Sequence, residues 1–198
     1  MRITREIFDA FLHCPTKGYL MAHGEAGHEE HEHRENVDAY RRDGLVRLGA
    51  ETSTETNPIG NPASARWMDV SPLPRADLKL ETAQFVIRID ALRIRRGKQP
   101  RDLSPIRFVP DEEVAATDKL SVAFDARVVA ESTGSKPSIG EIIHGRDYRT
   151  VNVSLAPLYP KISSRLVALN RNLAKPTAPS PILNKHCPEC CYRAGCRE

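Results

Sequence analysis

Apolar residues recur along this chain at two spacings, one helical and one alternating, and the change from one to the other marks out its elements. Ile7, Phe8, Phe11 and Leu12 share one face of a helix that Thr4 can cap and Cys14-Pro15 ends. A short second helix is expected over Lys17-Gly18-Tyr19-Leu20-Met21, before a polar run from residue 23 to 33 crowded with Glu and His. Residues 34–48 return to helical spacing, with Val37, Tyr40, Leu45 and Leu48 as a ragged stripe. Residues 51–74 are rich in Thr, Ser, Asn, Gly and Pro and read as a connector, with a short strand at 67–70.

The clearest strand follows. Phe85, Ile87 and Ile89 alternate with Val86, Arg88 and Asp90, so one face is apolar and the other ends in a carboxylate. Ile106-Arg107-Phe108-Val109 reads as a second strand. Asp118 is placed to cap a helix over 119–131 that turns Leu120, Ala123, Phe124 and Val128 inward, and the segment 134–140 breaks it. Glu141-Ile142-Ile143 and Thr150-Val151-Asn152-Val153 form an expected hairpin across His144-Gly145-Arg146-Asp147. A last helix carries Leu158, Ile162, Leu166, Leu169 and Leu173 on one stripe, ahead of a cysteine-rich knuckle at 182–198. The order predicts an α/β domain with a small mixed central sheet flanked by helices, spanning residues 1–198.

Composition narrows the class. With 40% hydrophobic and 28% charged residues the chain reads as one soluble globular domain. No apolar run approaches the roughly 18 residues of a membrane span, and the first residues lack the apolar core of a signal peptide. A cytoplasmic location without membrane contact is therefore expected, and in that reducing compartment five thiols point to metal rather than disulfides. The net charge is only +3, but it is unevenly spread. Residues 25–38 are acidic, whereas the stretch after Pro157 carries Lys161, Arg165, Arg171, Lys175, Lys185, Arg193 and Arg197 against Glu189 and Glu198. That basic end is either a phosphate-facing surface or a solvated helix face.

Cys187, Cys190 and Cys196 supply three thiolates within a short span, and a zinc tetrahedron or a cubane cluster needs a fourth ligand. Cys14 and Cys191 are the two candidates. Adjacent Cys190 and Cys191 would strain to bind one ion, which favours Cys14. Ligand type leaves zinc and iron–sulfur both open.

The run Phe11-Leu12-His13-Cys14-Pro15-Thr16-Lys17-Gly18-Tyr19-Leu20, with the terminal C-x2-C-x5-C, resembles the iron-staple branch of the RecB-like nucleases, of the PD-(D/E)xK superfamily. Residues 118–126 and Pro137 to Gly145 resemble the helix and hairpin of RecB-like nucleases in larger bacterial proteins. The resemblance implies a restriction-endonuclease-like fold whose ends are joined by a [4Fe–4S] cluster on Cys14, Cys187, Cys190 and Cys196. It implies a DNA exonuclease acting on single-stranded ends by Mg²⁺- or Mn²⁺-dependent phosphodiester hydrolysis, in which a strand-end carboxylate and an acid-x-lysine hold the metal.

Asp90 matches the first carboxylate, and its other reading is a strand-end carboxylate paired with a neighbouring Arg. The acid-x-lysine is missing, because Pro105-Ile106-Arg107-Phe108 occupies its place, with Asp102 and Asp111 in flanking loops and Glu112 and Glu113 further on. Where many relatives carry a helix glutamine, this chain has Leu120 and Ser121. His28 matches the position of the family's early metal-binding histidine, with His31 and His33 behind it, and His144 reads as a turn residue. Arg88 and Arg107 are candidate phosphate contacts. The sequence runs two residues past Cys196, where relatives continue, so a larger protein or partner subunit is expected beside single-stranded DNA. Three functions follow: a RecB-like nuclease or nuclease-derived domain, a catalytically degenerate nucleic-acid-binding or assembly module of the same fold, and a zinc-stabilised structural protein.

Overall fold

A computed structural model of the chain describes residues 1–27, 31–52, 73–95 and 102–196. The expected connector strand at 67–70 and His28 lie outside them. Ile3–Thr4 forms a two-residue strand (β1), and the Thr4 hydroxyl oxygen then accepts the Ile7 N–H at 3.3 Å to start helix α1, Arg5–His13. Cys14 has extended backbone and joins α1 to α2, Pro15–Ala22, where Pro15 fills a first-turn position that needs no N–H. The two helices approach closely at Gly18, where an added Cβ would lie 2.8 Å from the Phe11 Cβ.

Helix α3 (His31–Leu48) is followed by β2 (Glu51–Thr52), β3 (Arg75–Glu81), β4 (Phe85–Arg95) and β5 (Asp102–Val109). Helix α4 (Ala116–Thr133), the hairpin β6 (Ile139–His144) and β7 (Arg149–Ser154), and α5 (Tyr159–Leu173) complete the core. A 3-10 turn, Cys187–Glu189, opens the knuckle. The sheet runs β2-β3-β4-β5-β6-β7, with β1 parallel to the start of β4. It is mixed: β5 pairs parallel with β6, while β4 is antiparallel to both its path neighbours.

Consecutive residues Ile142 and Ile143 enter different apolar clusters, so each face of the sheet is covered. On one face α1, α4 and α5 pack through Phe8, Val122, Phe124, Ile162 and Leu169 onto Leu78, Leu80, Phe85, Ile87 and Ile89. The Phe8 and Phe124 rings stack with centroids 4.2 Å apart. On the other, Tyr40, Leu45 and Leu48 of α3 cover Ala91, Ile106, Phe108 and Ile143.

Several elements differ from expectation, among them the short strands β1 and β2, the second of which opens the stretch expected to be connector. Strand β3 occupies a stretch where none was placed, although Ala76, Leu78 and Leu80 are buried between alternating polar residues. Asp90 does not end β4, which continues to Arg95. The alternation breaks there: Ile87 and Ile89 face one cluster, Ala91 the other, and Leu92 the first again. Opposite this slip, between the pairs Ala76–Ala91 and Leu78–Ile89, Asp77 takes a left-handed φ of 57°. Asp102 belongs to β5 rather than a loop. Asp118 lies inside α4 and accepts the Ala115 N–H at 2.8 Å instead of capping the helix itself.

Gly44 lets α3 sit on the sheet, since an added Cβ would come 2.3 Å from the Phe108 ring. Gly44→Ala gains about 1 kcal/mol of helix propensity but overpacks this contact at a cost of roughly 1–3 kcal/mol. Urea unfolding should therefore show net destabilisation, partly recovered by adding Phe108→Leu. A stabilised single variant would remove Gly44 as the contact that seats α3.

Candidate functional site

Asp90, the expected metal-binding carboxylate, is 6% exposed and enclosed by arginines. Arg5, at the start of α1, donates from Nη1 to Asp90 Oδ1 at 2.6 Å. The rest of its guanidinium grips Asp125 of α4 through Nε, at 3.1 Å, and through Nη2. From α3, Arg41 Nε lies 3.2 Å from Asp90 Oδ1, and its Nη2 pairs with Asp77. The Phe108 main-chain N–H donates to Asp90 Oδ2 at 3.0 Å, which occupies the second carboxylate oxygen.

Arg107, expected to face phosphate, is turned inward and donates to Asp9 Oδ2 at 2.6 Å. Asp9 Oδ1 accepts the Ser121 hydroxyl, also at 2.6 Å. Arg88 is the outward member of the expected pair, with a side chain 62% exposed. His144 is the last residue of β6 rather than a turn residue, and its Nδ1 lies 3.1 Å from the Glu112 carbonyl oxygen. His31 and His33 fall in α3.

Burial pushes the Asp90 carboxyl up, but the charges of Arg5, Arg107 and Arg41 and the Phe108 N–H outweigh it and hold the group below its usual range. For Asp125 burial prevails over the attraction of Arg5, and the carboxyl is raised. The arrangement is poorly suited to a hard divalent cation, which takes several free oxygen ligands. A cation at Asp90 would have to displace guanidinium groups that do not deprotonate in proteins.

The cysteines meet elsewhere. Cys14, Cys187, Cys190 and Cys196 line one cavity of about 270 Å³, whose wall also includes His13, Lys17 and His186. Cys191 is not part of this wall, and its Sγ lies against Gly27, 2.9 Å from where a Cβ would stand. Three short turns shape the knuckle: the Cys190 N–H donates to the Cys187 carbonyl, the Arg193 N–H to that of Cys190, and the Cys196 N–H to that of Tyr192. Burial raises the Cys196 thiol, and the charges of Cys190, Cys14 and Cys187 raise it further. His13 and His186 lie with ring centroids 4.4 Å apart, and burial, then the His186 and Lys17 charges, lowers His13.

Two side-chain bonds guide the C-terminal segment back to Cys14. The Tyr19 hydroxyl donates to the Lys175 carbonyl at 3.2 Å and the Thr16 hydroxyl to that of Pro179 at 3.0 Å. The Pro-rich stretch lacks several N–H groups but keeps its carbonyls, which suits it to accept.

The donor set fits a thiolate-held group, because four thiolates repel one another unless a cation binds them. Among the described residues no three His, Cys, Asp or Glu side chains are grouped closely enough to hold a metal ion as they stand.

Sequence reasoning missed Arg5, Asp9, Arg41, Asp77 and Ser121. Asp125 carried a readable signal, since a carboxylate inside the apolar run Val122-Ala123-Phe124-Asp125-Ala126 implies a buried partner.

Asp90→Asn leaves Arg5 and Arg41 facing a neutral group and should cost roughly 3–5 kcal/mol at neutral pH. Because the Asp90 pKa is depressed in the fold, its contribution is full above the unfolded value of about 3.9 and is lost as pH falls below it. The gap between wild type and variant in urea unfolding should thus narrow from pH 7 to about pH 3; a gap of constant size would show that the ion pairs do not carry it.

Compared with known proteins, the sequence matches no family model and no curated relative.

Proposed function

We propose that the chain is a nuclease-derived, RecB-like module that binds single-stranded nucleic acid, held together by a [4Fe–4S] cluster on Cys14, Cys187, Cys190 and Cys196, and does not itself cut. One observation carries this reading. Cysteines from opposite ends of the chain wall a single cavity. Four cysteines suit zinc or a cubane cluster, and the resemblance to the iron-staple nucleases is what favours iron–sulfur here. Such a cluster would supply cross-linking and contribute folding free energy directly.

The closed Asp90 site favours the binding module over the nuclease. Arg5, Arg41 and Arg107 stand around the lone family carboxylate, and the acid-x-lysine is missing from β5. For a polyanion partner, the support is the C-terminal charge. Lys161, Arg165, Arg171, Lys175, Lys185 and Arg193 are all exposed, and Glu189 is the only acid between residues 158 and 196. The nucleic-acid contact therefore belongs to α5 and the knuckle rather than to Arg107.

Anaerobic purification with iron and sulfide analysis tests the cluster, with about four of each expected per chain. Zinc in their place would return the chain to a structural protein. Cys14→Ser should be colourless and lose on the order of 5 kcal/mol if the loop-closure rule for cross-links transfers. A brown, fully stable variant would defeat the staple.

Binding to labelled single-stranded DNA should weaken steeply with salt, and each phosphate-contacting cation removed from Lys161, Arg165 and Arg171 should lower the log–log slope by about 1. No Mn²⁺-dependent cleavage should exceed that of Asp90→Ala. Cleavage by wild type that Asp90→Ala abolishes would restore the nuclease.

A further inference from the structure

We infer that Asn184 is the clamp that closes the four-cysteine site, a positioning residue that ties the Cys14 arm to the Cys187 arm before either meets a ligand. The inference rests on the reading of those four cysteines as one site. Asn184 lies in the cavity wall, between the Pro-rich segment and the knuckle.

Its contacts divide between the two arms. Toward the knuckle, the Asn184 main-chain N–H donates to Cys187 Sγ at 3.2 Å, while its carbonyl accepts the Cys187 N–H at 3.1 Å. Its side-chain Oδ1 accepts the His186 N–H at 2.9 Å. Toward the other arm, Nδ2 donates to the His13 carbonyl at 3.2 Å, and it makes a longer local contact of 3.4 Å with the Ile182 carbonyl. The His13 carbonyl belongs to the last turn of α1, where helix carbonyls lack an intrahelical partner, and it is the one next to Cys14.

The two partners leave the amide no choice of orientation. An N–H on one side requires the oxygen, and a carbonyl on the other requires the nitrogen. Neither a carboxylate nor a hydroxyl can give one acceptor and one donor at this separation in the same plane, so asparagine is specified chemically.

Asn184 also completes a series. As the C-terminal segment advances through Lys175, Pro179 and Asn184, its partners step back along the N-terminal helices through Tyr19, Thr16 and His13. The first two bonds align the segment with α2. The third sits beside the cysteines, so it governs their separation rather than the general course of the chain.

The test uses the as-purified full chain, with each cysteine's alkylation by iodoacetamide followed by peptide mass spectrometry. A net hydrogen bond biases a local opening equilibrium by about fivefold. Losing the side-chain bonds to His13 and His186 in Asn184→Ala should therefore speed alkylation of Cys14 and Cys187 by roughly tenfold or more, while leaving Cys191 unchanged. Asn184→Asp keeps the acceptor for His186 and loses the donor to His13, so Cys14 should accelerate while Cys187 stays near wild type. Asn170→Ala, an exposed position on α5, should change nothing.

Wild-type rates at both cysteines in Asn184→Ala would overturn the clamp, and so would equal acceleration of all five cysteines in both Asn184 variants. Iron and sulfide in wild type decide the cluster separately. A wild-type chain without iron, in which Asn184→Ala still exposes Cys14 and Cys187 selectively, keeps the clamp and removes the cluster.

Discussion

The guanidinium of Arg5 is the point on which the layers of this protein are registered. It belongs to α1, and it holds Asp90 of β4 and Asp125 of α4 at once, residues 85 and 120 positions away along the chain. Arg41 extends the same contact to α3 through Asp90. Buried charges cost several kcal/mol each in desolvation, so a network like this adds little net stability over well-packed apolar residues. What it supplies is intolerance of error. A shift of α1 by one turn, about 5.4 Å, would leave unpaired charges in the core, whereas the surrounding Phe8, Phe85 and Phe124 cluster could repack around a smaller slip.

Legibility in the sequence followed the range of the forces involved. The Thr4 cap, the apolar stripe of α1 and the Ile142/Val151 hairpin are set by neighbours, and local pattern revealed them. Strand β4 was visible as far as Asp90, where the alternation slips and pattern reading stopped although the strand does not. Strand β3 was missed because short Ala76 and the charges of Arg75, Asp77, Lys79 and Glu81 dilute its alternation, which only pairing with β4 makes decisive. That Asp90 could pair with an arginine was legible, but the identity of Arg5 and Arg41 was not, because each ion pair is a long-range meeting that no local spacing announces. The cysteines fall between these cases, three of them joined by close spacing and Cys14 added through its F-L-x-C-P context.

The two special features of the molecule share one short helix. Helix α1 begins with Arg5 in the ionic network and ends against Cys14 in the cysteine cavity, nine residues or about 13.5 Å away. A cation at the first turn opposes the helix dipole, but Asp90 and Asp125 bring carboxylates to that same end, where negative charge is favoured. At the other end Cys14 is the N-cap residue of α2, so the N-terminal cysteine of the cavity stands where one helix ends and the next begins.

This geometry bears on why the ionic network and the cysteine site persist together. An α1 anchored only at Arg5 could fray from its C-terminal end, since His13 and Cys14 contribute little apolar burial there. An α1 anchored only at Cys14 could rotate and move Arg5 out of reach of Asp125. Each anchor removes the freedom the other leaves, one fixing rotation by a bidentate contact and the other fixing the end of the helix to a segment more than 160 residues away in sequence. Occupying the cysteines should therefore tighten the Asp90 site mechanically, with no need for a direct electrostatic link between them. On that view Asp90 serves as an anchor for α1, a role that depends on its burial and its arginines rather than on any affinity for a cation.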